Sequence, residues 1–202
     1  MSLEITRGTI EDLPECARLI AVAFEDDPVV REMVPGDENR LARLTRFFES
    51  ELRAGPLVAG ALDVVRLEAG GPIAGAGAWV GPEKPSSWVQ LRELPNLLRA
   101  IGLRHVAASV AALRAFDGPH PEFPHWYLSD IVVSPDARGR GIGGALLEHR
   151  LALIDDEALP AYLEATTDGS RRLYERFGFE ATGTFDVGSA PATSMLRPAA
   201  RT

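Results

Sequence analysis

Apolar residues recur along this chain with two periods. Leu13, Ala17, Ile20 and Phe24 fall three or four apart, as on one face of a helix, and Thr9 with Asp12 offers a capping-box-like start. The stretch 25–28 (Glu-Asp-Asp-Pro) reads as a loop, and 28–34 as a short helix closed by Pro35-Gly36. Leu41, Leu44, Phe47, Phe48 and Leu52 then keep helical spacing until Gly55-Pro56. Strand-like runs occupy 3–6, 62–68, 73–80 and 125–133, with Ala69-Gly70-Gly71-Pro72 as a hairpin signal between the second and third. Residues 87–116 are helical in pattern, with a break at Gly102. Helices over 141–154 and 170–176 alternate with strands over 161–165, 179–185 and about 192–196. This order predicts one α/β domain. Its mixed central sheet has six to seven strands flanked by helices, and 87–116 is a helical insertion before the central strand.

Composition narrows the function. The chain has 202 residues, enough for one domain with a real core. A net charge of −8 argues against a nucleic-acid or anionic-membrane partner, and suits a cationic small substrate as well as plain solubility. Cys16 is the only cysteine, so there is no intrachain disulfide and no thiolate zinc site; it reads as a buried small hydrophobe. The four histidines lack metal-ligand spacing, so no metal is expected. No run reaches transmembrane length, and the first fifteen residues lack the basic start and apolar core of a secretory signal. A cytoplasmic location is the expectation.

The stretch 138–147 (Arg-Gly-Arg-Gly-Ile-Gly-Gly-Ala-Leu-Leu) carries the chemistry. It lies between a strand end and a helix start, where backbone N–H groups are free and the helix dipole favours an anion. Four glycines with Arg138 and Arg140 read as a phosphate cradle; a tight turn that needs glycine only for geometry is the other reading. A Walker A loop is excluded, because no Gly-Lys-Ser/Thr follows. Gly139, Gly141 and Gly144 match G-x-G-x-x-G, with Glu164 about 20 residues on, as a dinucleotide site requires. Against that, residues 134–138, including Pro135, separate the strand from the first glycine, and no second mononucleotide half follows.

Read as Arg138-x-x-Gly141-x-Gly143 after Val133-x-Pro135, the segment resembles the acetyl-CoA signature of the GNAT superfamily of N-acetyltransferases. A second signature follows at 173–179, with Tyr174 and Gly178-Phe179. The resemblance covers 125–197 closely and the first 80 residues in element order only. The insertion and 160–179 are most similar to the puromycin N-acetyltransferase branch. The resemblance implies a GNAT fold, acetyl-CoA as co-substrate, and direct transfer of acetyl to a primary amine of a small molecule in a ternary complex. It implies that Ile131, Val132 and Val133 offer main-chain contacts to the pantetheine arm. It implies that Gly139, Arg140, Gly141, Ile142, Gly143 and Gly144 hold the pyrophosphate beside Arg138. Tyr174 matches the acid that protonates the leaving thiolate; an aromatic packing residue under the cofactor is the other reading. Ser170 stands where the related branch has an asparagine that contacts the cofactor; the serine either keeps that contact or caps its helix.

The base is left open. Alternation along 125–133 places His125, Tyr127 and Ser129 on one face and Asp130 on the other, where it reads as structural. Glu164, on the neighbouring strand, is a further candidate acting through water. Asp26 and Asp27 are placed to bind a substrate ammonium group or, equally, to cap the helix at Pro28. Leu94, Leu97, Leu98 and Ile101 read as core or homodimer interface rather than pocket, and Trp79, Trp88 and Trp126 as core or pocket wall. Three other functions stay open: a protein N-terminal or lysine acetyltransferase, a non-catalytic CoA-binding sensor or scaffold, and a nicotinamide-dependent oxidoreductase.

Overall fold

The computed structural model describes residues 3–83 and 87–200. Its elements run β1 (Glu4–Arg7), α1 (Leu13–Ala23), α2 (Pro28–Met33), α3 (Arg40–Ala54), α4 (Pro56–Ala59), β2 (Gly60–Arg66), β3 (Ile73–Val80), α5 (Ser87–Ile101), α6 (Val106–Arg114), β4 (Trp126–Val133), α7 (Ile142–Asp156), β5 (Ala161–Ala165), α8 (Asp168–Glu175), β6 (Glu180–Val187) and β7 (Ala190–Arg197). This is the mixed sheet with flanking helices that the pattern predicts, including the helical pair between β3 and β4.

Local chemistry shifts some boundaries. The Thr9 N–H and hydroxyl both donate to Asp12 Oδ2, at 2.8 and 3.0 Å, so the expected capping box is a turn ahead of the helix. The helix itself begins at Leu13, with Pro14 in its first turn, where a missing N–H costs nothing. Past Gly55, where α3 was expected to end the helical stretch, Pro56 opens the extra turn of α4. The strand expected at 62–68 begins two residues earlier, at Gly60.

The seven strands form one sheet in the order β1-β2-β3-β4-β5-β7-β6. Only β4 and β5 are parallel, and they pair at just two positions, Trp126 with Ala161 and Tyr127 with Tyr162. Beyond Tyr127 the two strands diverge, while β4 stays paired to β3 and β5 to β7. A wedge therefore opens inside the sheet, with unpaired main chain on both walls.

Helices α1 and α3 bury Leu13, Ile20, Leu44 and Phe48 against one face of the sheet, and α7 buries Leu147 and Leu151 against the other. The start of α7 is held close to β3 because position 75 is glycine: a Cβ there would come within 2.6 Å of Ile142 Cγ2. Arg150 of α7 forms a bidentate pair with Asp63 of β2, Nε donating at 2.8 Å. The Asp63 side chain is 2% exposed. Truncating one partner leaves a buried charge alone, so Asp63→Ala is expected to cost about 3–5 kcal/mol of stability. Urea unfolding checks this through the shift in midpoint.

The inserted helices lie on α3. The Arg43 guanidinium donates to the carbonyls of Ala100 and Ile101, at 2.8 and 2.6 Å, and to that of Pro35, so one side chain fixes the end of α5. Trp79 and Trp126 are buried, but Trp88 is 73% exposed. It stands with Leu91 and Leu94 on the stripe of α5 that faces away from α3, so Trp88 is neither core nor pocket wall. Cys16 is fully buried, and burial pushes its thiol up to about 12, which leaves it unreactive. Among the described residues no helix is long and apolar enough to cross a membrane.

Candidate active site

One irregularity in β4 decides which side chains meet at the wedge. Ala78 of β3 pairs with Asp130 while its neighbour Trp79 pairs with Leu128, so Ser129 is an extra residue, a β-bulge. Directly paired residues share a face, and alternation restarts after the bulge. Leu128 therefore sides with Trp79 toward α7, whereas Tyr127 and Asp130 both face α3. The simple alternation that put Asp130 on the opposite face from Tyr127 is overturned.

Asp130 is 6% exposed and its Oδ2 has no hydrogen-bond partner. Glu51, from α3, adjoins it. Burial and the Asp130 charge hold the Glu51 carboxyl well above its ordinary range, and burial raises Asp130 to about 6. Two adjoining carboxyls do not both ionise readily, so the pair keeps one proton near neutrality. Neither residue stood among the expected site residues. No sequence signal marks Glu51, whereas Asp130 was concealed by the bulge.

The pair lines a cavity of about 450 Å³ that extends along the wedge past Ile131 to Ser170 and Tyr174. Tyr174, on α8, is buried with its ring against Phe179, the centroids 6.0 Å apart. Burial first and the Asp130 charge second push its phenol well above the usual tyrosine range, so it holds its proton.

The other base candidates fare differently. Tyr127 lines the cavity, but burial and then the Glu164 charge push its hydroxyl far upward, which makes it a donor rather than a base. The Ser129 hydroxyl donates to the Ala78 carbonyl at 3.3 Å. His125 lies outside the cavity, with Nδ1 against the Phe123 carbonyl at 2.7 Å and Nε2 against His120 Nε2 at 3.1 Å. Since a carbonyl only accepts, His125 Nδ1 carries the hydrogen. Burial lowers the pKa of this ring, so it is neutral and its Nε2 accepts from His120. Glu164 does line the cavity, nearly buried, with Oε1 unpartnered and His120 Nδ1 3.8 Å away.

Structure assigns other duties to the proposed substrate acids. Asp27 caps α2, its Oδ1 accepting from the Val29 and Val30 amides at 2.9 and 3.1 Å, while Oδ2 accepts from the Thr166 hydroxyl at 2.7 Å. Asp26 is paired with Arg31 at 2.8 Å. The helical-cap alternative therefore describes Asp27, and no free carboxylate oxygen of this residue faces a ligand. Ser170 likewise belongs to a capping box: its amide donates to Thr167 Oγ1 and its hydroxyl to the Thr167 carbonyl, at 3.1 and 2.8 Å. Leu97 packs against the core cluster of α1 and α3, as expected, and also lines a second cavity.

The glycine loop closes the far end of the wedge. Gly139 and Gly141 have φ of 77° and 76°, the left-handed region that L side chains avoid, and a Cβ at either would meet nothing within 4 Å. These two are glycine for conformation. Gly143 and Gly144 are helical, and a Cβ on them would make only ordinary contacts, at 3.6 and 3.5 Å. Gly141 is the N-cap, without a side-chain cap, and the first helical bond runs from Ala145 to its carbonyl. The amides of Ile142, Gly143 and Gly144 thus point out of the helix start. Arg138 and Arg140 flank them, exposed and without an acidic partner among the described residues. This arrangement suits a bound anion. No group of three or more metal-ligating side chains comes together among the described residues.

Comparison with known proteins agrees with this geometry. The profile of the acetyltransferase (GNAT) family matches residues 66–179. An uncharacterised N-acetyltransferase of Schizosaccharomyces pombe is 28% identical over 189 residues, covering 86% of this chain and 72% of that protein. A mycothiol acetyltransferase of Propionibacterium freudenreichii is 40% identical over 65 residues, 31% of this chain and 20% of that protein. The crystal structure of a Corynebacterium glutamicum protein described as histone acetyltransferase HPA2 and related acetyltransferase superposes with a TM-score of 0.80 at 31% identity, covering 100% of this chain and 99% of that one. The glycine loop, the divergent strand pair and these matches agree: the chain belongs to the GNAT family of acetyltransferases.

Proposed function

We propose that the protein transfers an acetyl group from acetyl-CoA to the primary amine of a small molecule, directly and in a ternary complex. The observation that carries this reading is a single cavity running from the divergence of β4 and β5 to a carboxyl pair and a buried phenol. Acetyl-CoA supplies the acetyl group as a thioester. Main chain of Ile131–Val133 lines the wedge that receives its pantetheine arm. The amides from Gly139 to Gly144, with Arg138, bind its pyrophosphate.

The ionised member of the Glu51–Asp130 pair takes a proton from the acceptor ammonium. The amine nitrogen then forms its bond to the carbonyl carbon as the C–S bond breaks, and the electron pair leaves with sulfur. Tyr174 gives its proton to that sulfur. Of the two protons lost from the ammonium, one ends on sulfur by way of Tyr174 and the other reaches solvent. Base and acid are coupled by charge. Asp130 in its ionised form strengthens the hold of Tyr174 on its proton. A proton arriving on the pair removes that charge, so the phenol becomes a better acid as the thiolate departs.

Calorimetry with acetyl-CoA, CoA and NAD tests the cofactor assignment. Acetyl-CoA and CoA are expected to bind with NAD giving no heat. NAD binding without CoA binding overturns the reading.

A further inference from the structure

A second cavity, of about 440 Å³, meets the first at Glu51, Tyr127 and Ser129 and extends beneath the inserted helices. Its walls are mostly apolar: Phe47, Val80, Leu97, Leu113 and Phe116 line it, with Ser50 and Gln90 as polar members. The volume is within the range of about 300–1,000 Å³ usual for small-molecule pockets. Arg43 fixes the end of α5 to α3, so this wall is held in place.

Charge is distributed unevenly over the joined cavities. Glu51, Asp130 and Glu164 face the junction, while Asp26 and Asp27, farther along the first cavity, are already engaged by Arg31 and by the start of α2. No lysine or arginine lines either cavity among the described residues. Among the described residues the one basic group lining either cavity is His120, whose ring lies 5.0 Å from that of Tyr127 and whose Nδ1 already faces Glu164 at 3.8 Å. A cationic head at the junction meets acids, and its body meets hydrocarbon. A carboxylate on the carbon that bears the amine meets the same acids, with no lysine or arginine among the described residues to offset it.

Resting on the transferase reading above, we propose that the acceptor is a monoamine with an apolar, ring-sized body and no carboxylate. The amine sits at the Glu51–Asp130 junction and the body fills the cavity beneath α5 and α6. Amino acids are rejected by like charge, and short alkylamines bind weakly because they leave the apolar wall wet.

Equilibrium binding of four probes, with and without CoA, tests this: 2-phenylethylamine, L-phenylalanine, ethylamine and an uncharged-side-chain hexapeptide with a free N-terminus. The expected order places 2-phenylethylamine about 100-fold tighter than L-phenylalanine and at least about 10-fold tighter than ethylamine. Leu113→Arg, at a partly exposed wall position, is expected to narrow the gap to L-phenylalanine by about 10-fold while acetyl-CoA affinity is unchanged. Equal binding of L-phenylalanine and 2-phenylethylamine, tighter binding of the hexapeptide, or an unchanged gap in Leu113→Arg overturns the proposal. Failure of the transferase reading shows separately, as absence of acetyl-CoA binding or of thiol release with every amine. The binding order then still decides the pocket.

Discussion

Tyr174→Phe is expected to lower kcat by about 10²–10⁴-fold, the usual contribution of a positioned general acid. Affinity for acetyl-CoA should stay within about twofold, because the ring and its packing on Phe179 remain and only the hydroxyl is lost. The Tyr174 hydroxyl opens into the cavity and bonds to no protein group among the described residues, so removing it orphans no protein atom and folding is expected to be intact. The measurement is steady-state thiol release alongside calorimetric titration with acetyl-CoA. Wild-type turnover in Tyr174→Phe would remove the tyrosine from the acid role and leave it a packing residue of α8. A further signature comes from the leaving group. An acetyl thioester of a more acidic thiol needs less help on departure, so it should lose less in the mutant than acetyl-CoA does.

Asp130→Asn is expected to reduce kcat/KM by a similar factor, about 10²–10⁴, by removing the carboxylate that accepts the ammonium proton. The pH profile separates this from a general disturbance. In the wild-type protein the pair must be at least singly ionised to act as base. Activity is therefore lost as pH falls through about 6, where Asp130 regains its proton. Asp130→Asn should lose this limb, and Glu51→Ala should move it upward, because the Glu51 hydrogen bond that lowers the Asp130 pKa is lost. Stability moves in the opposite sense. A carboxyl raised by folding binds its proton more tightly in the folded state than in the unfolded one, so its contribution is present at low pH. That contribution is lost as pH rises from the ordinary aspartate value of 3.8 through about 6. Asp130→Asn is thus expected to melt no lower than wild type at pH 7.5. A variant with wild-type kcat/KM across pH 5–8 would exclude Asp130 as the base, and Glu164, buried with an unpartnered Oε1, would take its place.

The outline of the molecule was legible in the residues, for physical reasons that act locally. Helical spacing from Leu13 to Phe24 and from Leu41 to Leu52 requires a partner surface on one side, whatever that surface is. The hairpin glycines, the break at Gly102 and the glycine loop are set by backbone freedom, a property of the residue itself. Hence the α/β order, the inserted helical pair and the glycine loop could be read before any coordinates. The loop even shows which glycines are conformational, Gly139 and Gly141, once φ is known.

The groups that line the cavity were another matter. Period-2 alternation holds only while a strand stays in register, and the extra residue Ser129 breaks it where the chemistry lies. The sequence by itself therefore determined which residue types β4 carries, and put Asp130 on the wrong face. Glu51 comes from a helix 79 positions upstream of Asp130 and joins it only when α3 packs on the sheet. Asp26 and Asp27 showed the same limit. An acidic pair in a loop fits a substrate or a cap equally well, and only the Val29, Val30 and Thr166 donors give Asp27 to the fold. The raised carboxyls, the held phenol proton and the excess of acids over lysine and arginine among the described residues along both cavities arise from burial and from charges brought together across the chain. Those are long-range quantities: local patterning set the loop and the elements, and tertiary packing decided which carboxyls meet.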